Sequence, residues 1–325
     1  MDRDAVGEHA RKVRLAGYAA NRFRWRVPAA DLSEPERAEA VGRWPSAEYA
    51  VRWQLDGLAD TRLAQEIAWK AGMHAECFVM AEAMPRVFAF RPMSAQARRC
   101  FILGLDAARA RHEHDWEAVL STRLGVVEAA EGDLAEAASW YQVAHALHRG
   151  TGHLLGLATV AECWAHVEIE RGDYARAEEL AIQARDLFAE LEPRGVAIAE
   201  RRLALLEVHH GRPGDAVQLF EDLIGRFEAW GDEVMAARTR AEYAQALIAA
   251  HRGHDALEQV TAAGQAFASY GADRDVIRMV ELRAAAHAEL NNPEQARSTL
   301  LAAYRGYAQL GDWSHADRLA EQLAR

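Results

Sequence analysis

Gly132-Asp133-Leu134-Ala135-Glu136-Ala137, Gly172-Asp173-Tyr174-Ala175-Arg176-Ala177 and Gly211-Arg212-Pro213-Gly214-Asp215-Ala216 are three copies of one turn. Two weaker copies follow, His251-Arg252-Gly253-His254-Asp255-Ala256 and Asn291-Asn292-Pro293-Glu294-Gln295-Ala296. The closing alanines lie 40, 39, 40 and 40 residues apart. Self-similarity at a fixed period marks stacked units that cannot bury their apolar faces alone. Gly or Asn can end a helix in the left-handed conformation that satisfies its last carbonyls, and Asp or Pro suits the opening of the next. The repeated turn is therefore read as an αα-hairpin.

Twelve residues before each of these alanines stands another small residue: Gly125, Ala165, Ala204, Ala244 and Ala284. Small side chains at both places let two antiparallel helices approach closely, while Tyr141, Phe220 and Leu300, four positions after their alanines, fill the space beside them. A second break falls half a period away, at Gly150-Thr151-Gly152, Pro193-Arg194-Gly195, Gly231-Asp232, Gly271-Ala272-Asp273 and Gly311-Asp312. Each period thus holds two helices. The expected architecture is an all-α, right-handed α-solenoid of antiparallel helix pairs with a period of about 40 residues. Its parts are a basic arm and linker over 1–45, irregular helical pairs over 46–115, regular repeats over 116–311 and a capping helix over 312–325. Pro28, Pro35, Gly42 and Pro45 give residues 27–46 the composition of a linker.

These small residues resemble the tetratricopeptide signature, with Leu124-Gly125 standing like its first-helix Leu-Gly, and Ala137, Tyr141 and Ala144 like its second-helix pattern. The period is longer than the usual ~34 residues. It resembles the longer repeats in the sensor regions of bacterial signal-transducing regulatory ATPases. Residues 44–147 look more specifically like that region in actinobacterial regulators of the antibiotic-regulatory type. Trp53, Ala68-Trp69-Lys70-Ala71-Gly72, Gly104-Leu105-Asp106-Ala107-Ala108-Arg109 and Arg123-Leu124-Gly125 carry the likeness. In such regulators the sensor follows an ATPase module and often a DNA-binding domain, and these 325 residues contain neither. What the resemblance implies is a role in holding a peptide, a protein or a small ligand.

Composition narrows the partners. With 38 Lys and Arg against 49 Asp and Glu, the formal charge is −11. That opposes wrapping nucleic acid over most of the surface, because phosphate neutralisation needs clustered cations. Lys12 and Lys70 are the only lysines and neither follows a glycine-rich turn, so a phosphate-cradling loop is absent. No stretch approaches the roughly 18 uninterrupted apolar residues of a membrane span. Three scattered cysteines, Cys77, Cys100 and Cys163, suit a reducing compartment, the cytoplasm.

On the first helix of each pair, the register of the small residues turns Glu162, His166, Arg201, Arg238, Gln245, Arg278 and Glu281 inward. They line either a groove for a polar peptide or a solvated face. The positions hold neither the lysine nor the asparagine of the carboxylate clamp used by chaperone-binding tetratricopeptide proteins. Glu162 and His166 share a helix face at i, i+4 beside Cys163, an incomplete metal set. His112-Glu113-His114-Asp115 spaces its histidines two apart, toward different sides of a helix, so neither stretch predicts a metal site. Trp140, Tyr141, Trp164 and Tyr243 fall at helix-packing positions and read as core more readily than as a stacking platform. From His9 to Arg26 run six cations, Arg11, Lys12, Arg14, Arg22, Arg24 and Arg26, without an acid and interleaved with Tyr18, Phe23 and Trp25. This segment suits docking on its own chain or a second copy, then a protein partner, and least nucleic acid or an anionic membrane. No nucleophile, base and orienting group assemble, and no cofactor motif is present. The expected function is a protein- or peptide-binding regulatory scaffold in a bacterial cytoplasm, with a small-molecule or peptide-signal sensor as the alternative and an enzyme third.

Overall fold

The computed structural model describes residues 1–24, 26, 31–90 and 93–324. Among these residues the chain is helical throughout, with no strand. It divides into two compact units, one of Met1–Ala89 and Met93–Arg171, the other of Gly172–Arg325.

The repeat is built as its turns dictate. In the first unit α8 (His114–Glu131) and α9 (Leu134–Thr151) form an antiparallel pair, followed by α10 (Leu154–Arg171). The second unit continues with α11 (Tyr174–Phe188), α12 (Pro193–His209), α13 (Pro213–Ala229), α14 (Glu233–Ala249), α15 (Gly253–Ser269), α16 (Asp273–Glu289), α17 (Pro293–Leu310) and α18 (Trp313–Ala324). Gly132, Gly172 and Gly211 all take positive φ, and His251 and Asn291 adopt the same left-handed conformation at φ 58° and 57°. Asp133 and Asp173 then cap the following helices by accepting the backbone N–H of Glu136 at 3.0 Å and of Arg176 at 3.1 Å. Pro213 and Pro293 open theirs at a first turn that has no use for their missing N–H.

Close approach follows from the small residues. Ala137, Ala177, Ala216 and Ala256 are fully buried, as are Ala165, Ala204 and Ala244. A Cβ placed on Gly125 would come within 2.6 Å of the Tyr141 ring. At Gly195 it would meet the Phe188 ring at 2.3 Å.

The break between pairs, half a period from that turn, extends further upstream than expected. Left-handed residues recur at Gly72, His112 and Gly152, forty residues apart. Gly72 separates α4 (Leu58–Lys70) from α5 (His74–Ala83), and His112 separates α7 (Ser94–Ala110) from α8. A short α6 (Pro85–Phe90) intervenes.

The separate arm is corrected. Residues 3–20 form α1 (Arg3–Ala20), which packs on α3 (Ala47–Asp56), α4 and α5. Val6, Ala10 and Val13 join the core of Phe78, Met80, Phe101 and Leu120. Leu15, Ala16 and Ala20 pack with Leu32, Ala40, Trp44 and Val51 in a second cluster. Burial of an apolar helix face, invisible in a count of cations, fixes the segment. The linker expected over 27–46 likewise holds a helix, α2 (Glu34–Arg43), opened by a capping box between Ser33 and Glu36 with Pro35 in its first turn. Pro28 and Trp25, named in the linker and the arm, lie outside the described residues.

Candidate functional site

Ten or eleven residues after the turn, the first helices place charged side chains at one recurring register. These are Glu82 on α5, Arg123 on α8, Glu162 on α10, Glu242 on α14 and Glu281 on α16, with Arg201 and Arg202 at the matching place on α12. Glu82 and Arg201 are each 3% exposed, Glu242 4% and Glu162 9%, while Arg123 is half-buried. Charged residues are almost never so buried unless paired. A line of them recurring with the repeat is a feature of the scaffold's design.

In the second unit both arginines of α12 reach one carboxylate. Arg201 Nη1 and Arg202 Nη1 each donate to Glu242 Oε1 at 3.0 Å. A shared, desolvated carboxylate fixes α12 against α14 through charge-assisted hydrogen bonds. Further along, Arg318 donates to Glu281 at 3.0 Å, and the Tyr307 hydroxyl lies 3.4 Å from the same carboxylate. Arg194 and Arg274 repeat a second device. Each donates to the N-cap aspartate of a later helix, Arg194 to Asp232 at 2.7 Å and Arg274 to Asp312 at 2.6 Å. Burial alone would raise the Asp312 carboxyl, but the His315 hydrogen bond and Arg274 hold it below the usual value.

In the first unit, Arg24 forms an ion pair with Glu82 at 2.6 Å and donates to the Glu82 carbonyl at 2.9 Å. Arg26 caps the end of α1, donating to the carbonyls of Gly17 at 3.0 Å and Asn21 at 2.9 Å. Arg123 stands near both Arg24 and Glu82. Burial and the repulsion of Arg24 push its guanidinium down to about 10, opposed by Glu82.

Of the residues expected to face inward, Glu162 and Arg201 are buried, whereas His166, Arg238, Gln245, Arg278 and Glu281 are half-buried. Arg201 is thus chiefly a buried ion-pair partner rather than an open contact. Sequence reasoning missed Glu82, Arg123, Arg202 and Glu242. The signal that finds the last three lies one residue beyond the register chosen, because the buried stripe is wider than one position per repeat.

The remaining basic segment is mostly consumed locally. Arg11 bonds to Glu39 at 3.0 Å, Lys12 pairs with Glu8 at 2.5 Å, and Arg14 lies 3.6 Å from Glu36. Arg22 is exposed, over the Phe23 ring. His112 is the left-handed turn residue, and Asp115 accepts from Thr151 at 2.8 Å. Among the described residues no group of three or more His, Cys, Asp or Glu side chains is placed to hold a metal ion, and no helix is long and apolar enough to cross a membrane. Tyr141, Trp164 and Tyr243 are buried in helix contacts, and Trp140 packs against the first unit's core.

Residues 156–229 match the tetratricopeptide repeat family. No curated protein matches the chain significantly. Among solved structures, NprR in complex with its cognate peptide NprX aligns with a TM-score of 0.61 at 12% identity, covering 88% of this chain and 84% of that one. Aspartyl phosphate phosphatase F from Bacillus subtilis aligns with a TM-score of 0.55 at 13% identity, over 100% of this chain and 94% of that one. BtubC from P. vanneervenii reaches 0.52 at 19% identity, over 68% and 92%. At these identities the likeness is one of fold.

Proposed function

We propose that the chain is a protein- or peptide-binding scaffold, a regulatory module of an actinobacterial cytoplasm, whose first helices hold an extended peptide along their charged register. The observation that carries this reading is the row of half-buried polar side chains on the first helices of the second unit, Arg238, Gln245, Arg278 and Glu281, beside the internally satisfied pair of Arg201 and Glu242. Polar side chains left partly open on successive first helices present repeated anchor points to an extended chain, which repeats its own side chains at a fixed spacing. The peptide held by NprR supports the reading by analogy of fold alone. To test it, a synthetic pool of random heptapeptides is passed over the immobilised full chain and the retained members are identified by mass spectrometry. Retention of a defined subset is expected. Failure to retain any member would sink the proposal.

A second reading, a sensor of small molecules, draws on one cavity in the first unit. About 520 Å³ in volume, it is lined by Leu55, Leu58, Gln65, Met84, Phe88 and Leu103. Small ligands that bind the folded form raise the melting temperature by linkage. A thermal-shift screen in which low-molecular-weight compounds, and no peptide, stabilise the protein would favour this alternative.

A further inference from the structure

We propose that the cavity bounded by α4, α6 and α7 of the first unit is a binding site for a small, uncharged, largely apolar molecule that carries one hydrogen-bond donor. The donor, an O–H or an N–H, is received by Oε1 of Gln65. The proposal rests on the second reading above, gives it a site and a ligand chemistry, and leaves the peptide reading untouched.

The cavity has the size and the walls of a small-molecule site. Its volume of about 520 Å³ falls within the range of about 300–1,000 Å³ that encloses compact ligands. Leu55, Leu58, Phe88 and Leu103 line it and are half-buried, so their apolar surface is left partly open to water. Covering that surface is favourable roughly in proportion to its area. Cys100 adds a thiol that burial pushes up to about 12, so this wall carries no charge at neutral pH. At the rim stand Arg62, Arg99, Asp56 and Glu66, two cations and two acids. Arg99 donates to Glu66 at 2.6 Å, and Arg62 lies 4.0 Å from the same carboxylate. The rim is therefore balanced and offers a charged ligand no uncompensated partner.

Gln65 supplies the polar contact. It is 2% exposed and lines the cavity. Its Nε2 donates to the carbonyls of Cys77 at 3.2 Å and Cys100 at 2.9 Å, which uses both amide hydrogens. The amide is thereby fixed, and its Oε1 accepts no bond among the described residues. Unlike Oε1 of Gln54, which is enclosed without a partner, it keeps access to open space, and the open space against Gln65 is the cavity. A buried acceptor without a partner is costly, and a ligand's donor recovers that cost. Thr61, the other buried polar side chain of the lining, is already engaged with His9 at 3.0 Å. An extended peptide brings an N–H and a C=O at every residue, and a single free acceptor between apolar walls leaves most of them unpaired. The cavity therefore selects against a peptide and for a compact molecule with one donor.

Equilibrium dialysis of the full chain against matched probes tests this chemistry. The compound para-phenylphenol is compared with biphenyl, and diphenylamine with diphenyl ether, each pair differing by the donor, while para-phenylbenzoate adds a charged arm. The donor-bearing member of each pair should bind about tenfold more tightly than its partner. The two pairs tell whether an O–H or an N–H is preferred, and para-phenylbenzoate should bind more weakly than para-phenylphenol. Gln65→Met should remove the difference within each pair. Ala95→Trp, at an exposed position of the rim on α7, should block the mouth and abolish binding of every probe. It serves as the measured variant if Gln65→Met is poorly folded by circular dichroism. If the wild type and Ala95→Trp bind the probes alike, this cavity is overturned and the sensor reading stands. A donor preference that survives Gln65→Met overturns the anchor, as does equal binding within both pairs. Binding of para-phenylbenzoate as tight as that of para-phenylphenol overturns the uncharged ligand. If the wild type binds none of the probes, the cavity proposal falls, and the thermal-shift screen alone decides the sensor reading.

Discussion

The first and second units solve the same packing problem with different means. In the second, each helix packs chiefly on its sequence neighbours, α13 on α14, α14 on α15, α16 on α17, so the core is assembled step by step along the chain. In the first, α1 reaches across to α3, α4 and α5, and its residues enter two apolar clusters at once. A buried amide completes that docking, with Gln54 donating to the Val13 carbonyl of α1 at 3.5 Å and to the Ala83 carbonyl at 3.0 Å. A further difference sits at one register. Phe188, Phe227, Phe267 and Tyr307 recur at the end of the second helices of the second unit, and the first unit places His148 there. A nearest-neighbour stack tolerates local loss, because stability is a sum over adjacent repeats. A core that depends on one distant helix does not.

The largest effect expected of this comparison follows from deletion. Removing residues 1–26 should abolish the cooperative unfolding of the first unit, since Val6, Ala10, Val13, Leu15 and Ala16 leave two clusters open. Removing residues 313–325 should lower the melting temperature by only a few degrees, as α18 contributes little beyond Ala316 and Leu319. Circular dichroism melts of the two truncations decide the point, and equal loss in both would erase the distinction.

Next in size is Arg201→Glu, which sets an acid against Glu242 in a buried site and should cost about 3–5 kcal/mol in urea denaturation. A cost under about 1 kcal/mol would return Arg201 to the exposed groove expected from its register. Gly125→Leu and Ala216→Trp probe what the units share, the close approach of paired helices. Each should cost about 1–3 kcal/mol or more, because the Tyr141 ring lies 2.6 Å from a Cβ at 125 and Ala216 is fully buried. Tolerance in one unit only would show that the two pair their helices differently.

The histidine gives the units different responses to acid. His148 is 1% exposed, and burial, with His153 nearby, pushes its imidazole down to about 4 against an opposing pull from Asp115. The folded state therefore favours the neutral ring. Its contribution is complete above pH about 6.5, the unfolded value, and is lost as the pH falls through that value toward 4. The loss should be on the order of 2 kcal/mol between pH 7.5 and 4.5. His148→Phe, which copies the second unit, should remove that component when urea midpoints are compared at the two pH values. An acid response unchanged by the substitution would place the sensitivity elsewhere. Smallest of all, Arg278→Glu should shift stability by no more than about 0.5 kcal/mol, since among the described residues Arg278 has no ion pair to lose.

The sequence by itself determined the repeat. A left-handed turn residue, a capping Asp or Pro and a pair of small residues act over a few positions, so their recurrence at 40 residues fixed the helix pairs and the alanine contacts before any packing was known. It also placed the charged stripe to within one residue, at Glu162, Arg201 and Glu281, and stopped short of Arg123, Arg202 and Glu242. The tertiary structure decided what no local pattern encodes. It drew α1 into the core although the segment reads as a basic arm, because the apolar face between the cations finds partners more than fifty residues away, such as Phe78 and Phe101. It turned Arg201 from a surface contact into half of a buried pair, because the partner that neutralises it, Glu242, stands 41 residues further along the chain. Turns and helices answer to neighbours in sequence. The burial and pairing of charge answer to neighbours in space, and only folding selects those.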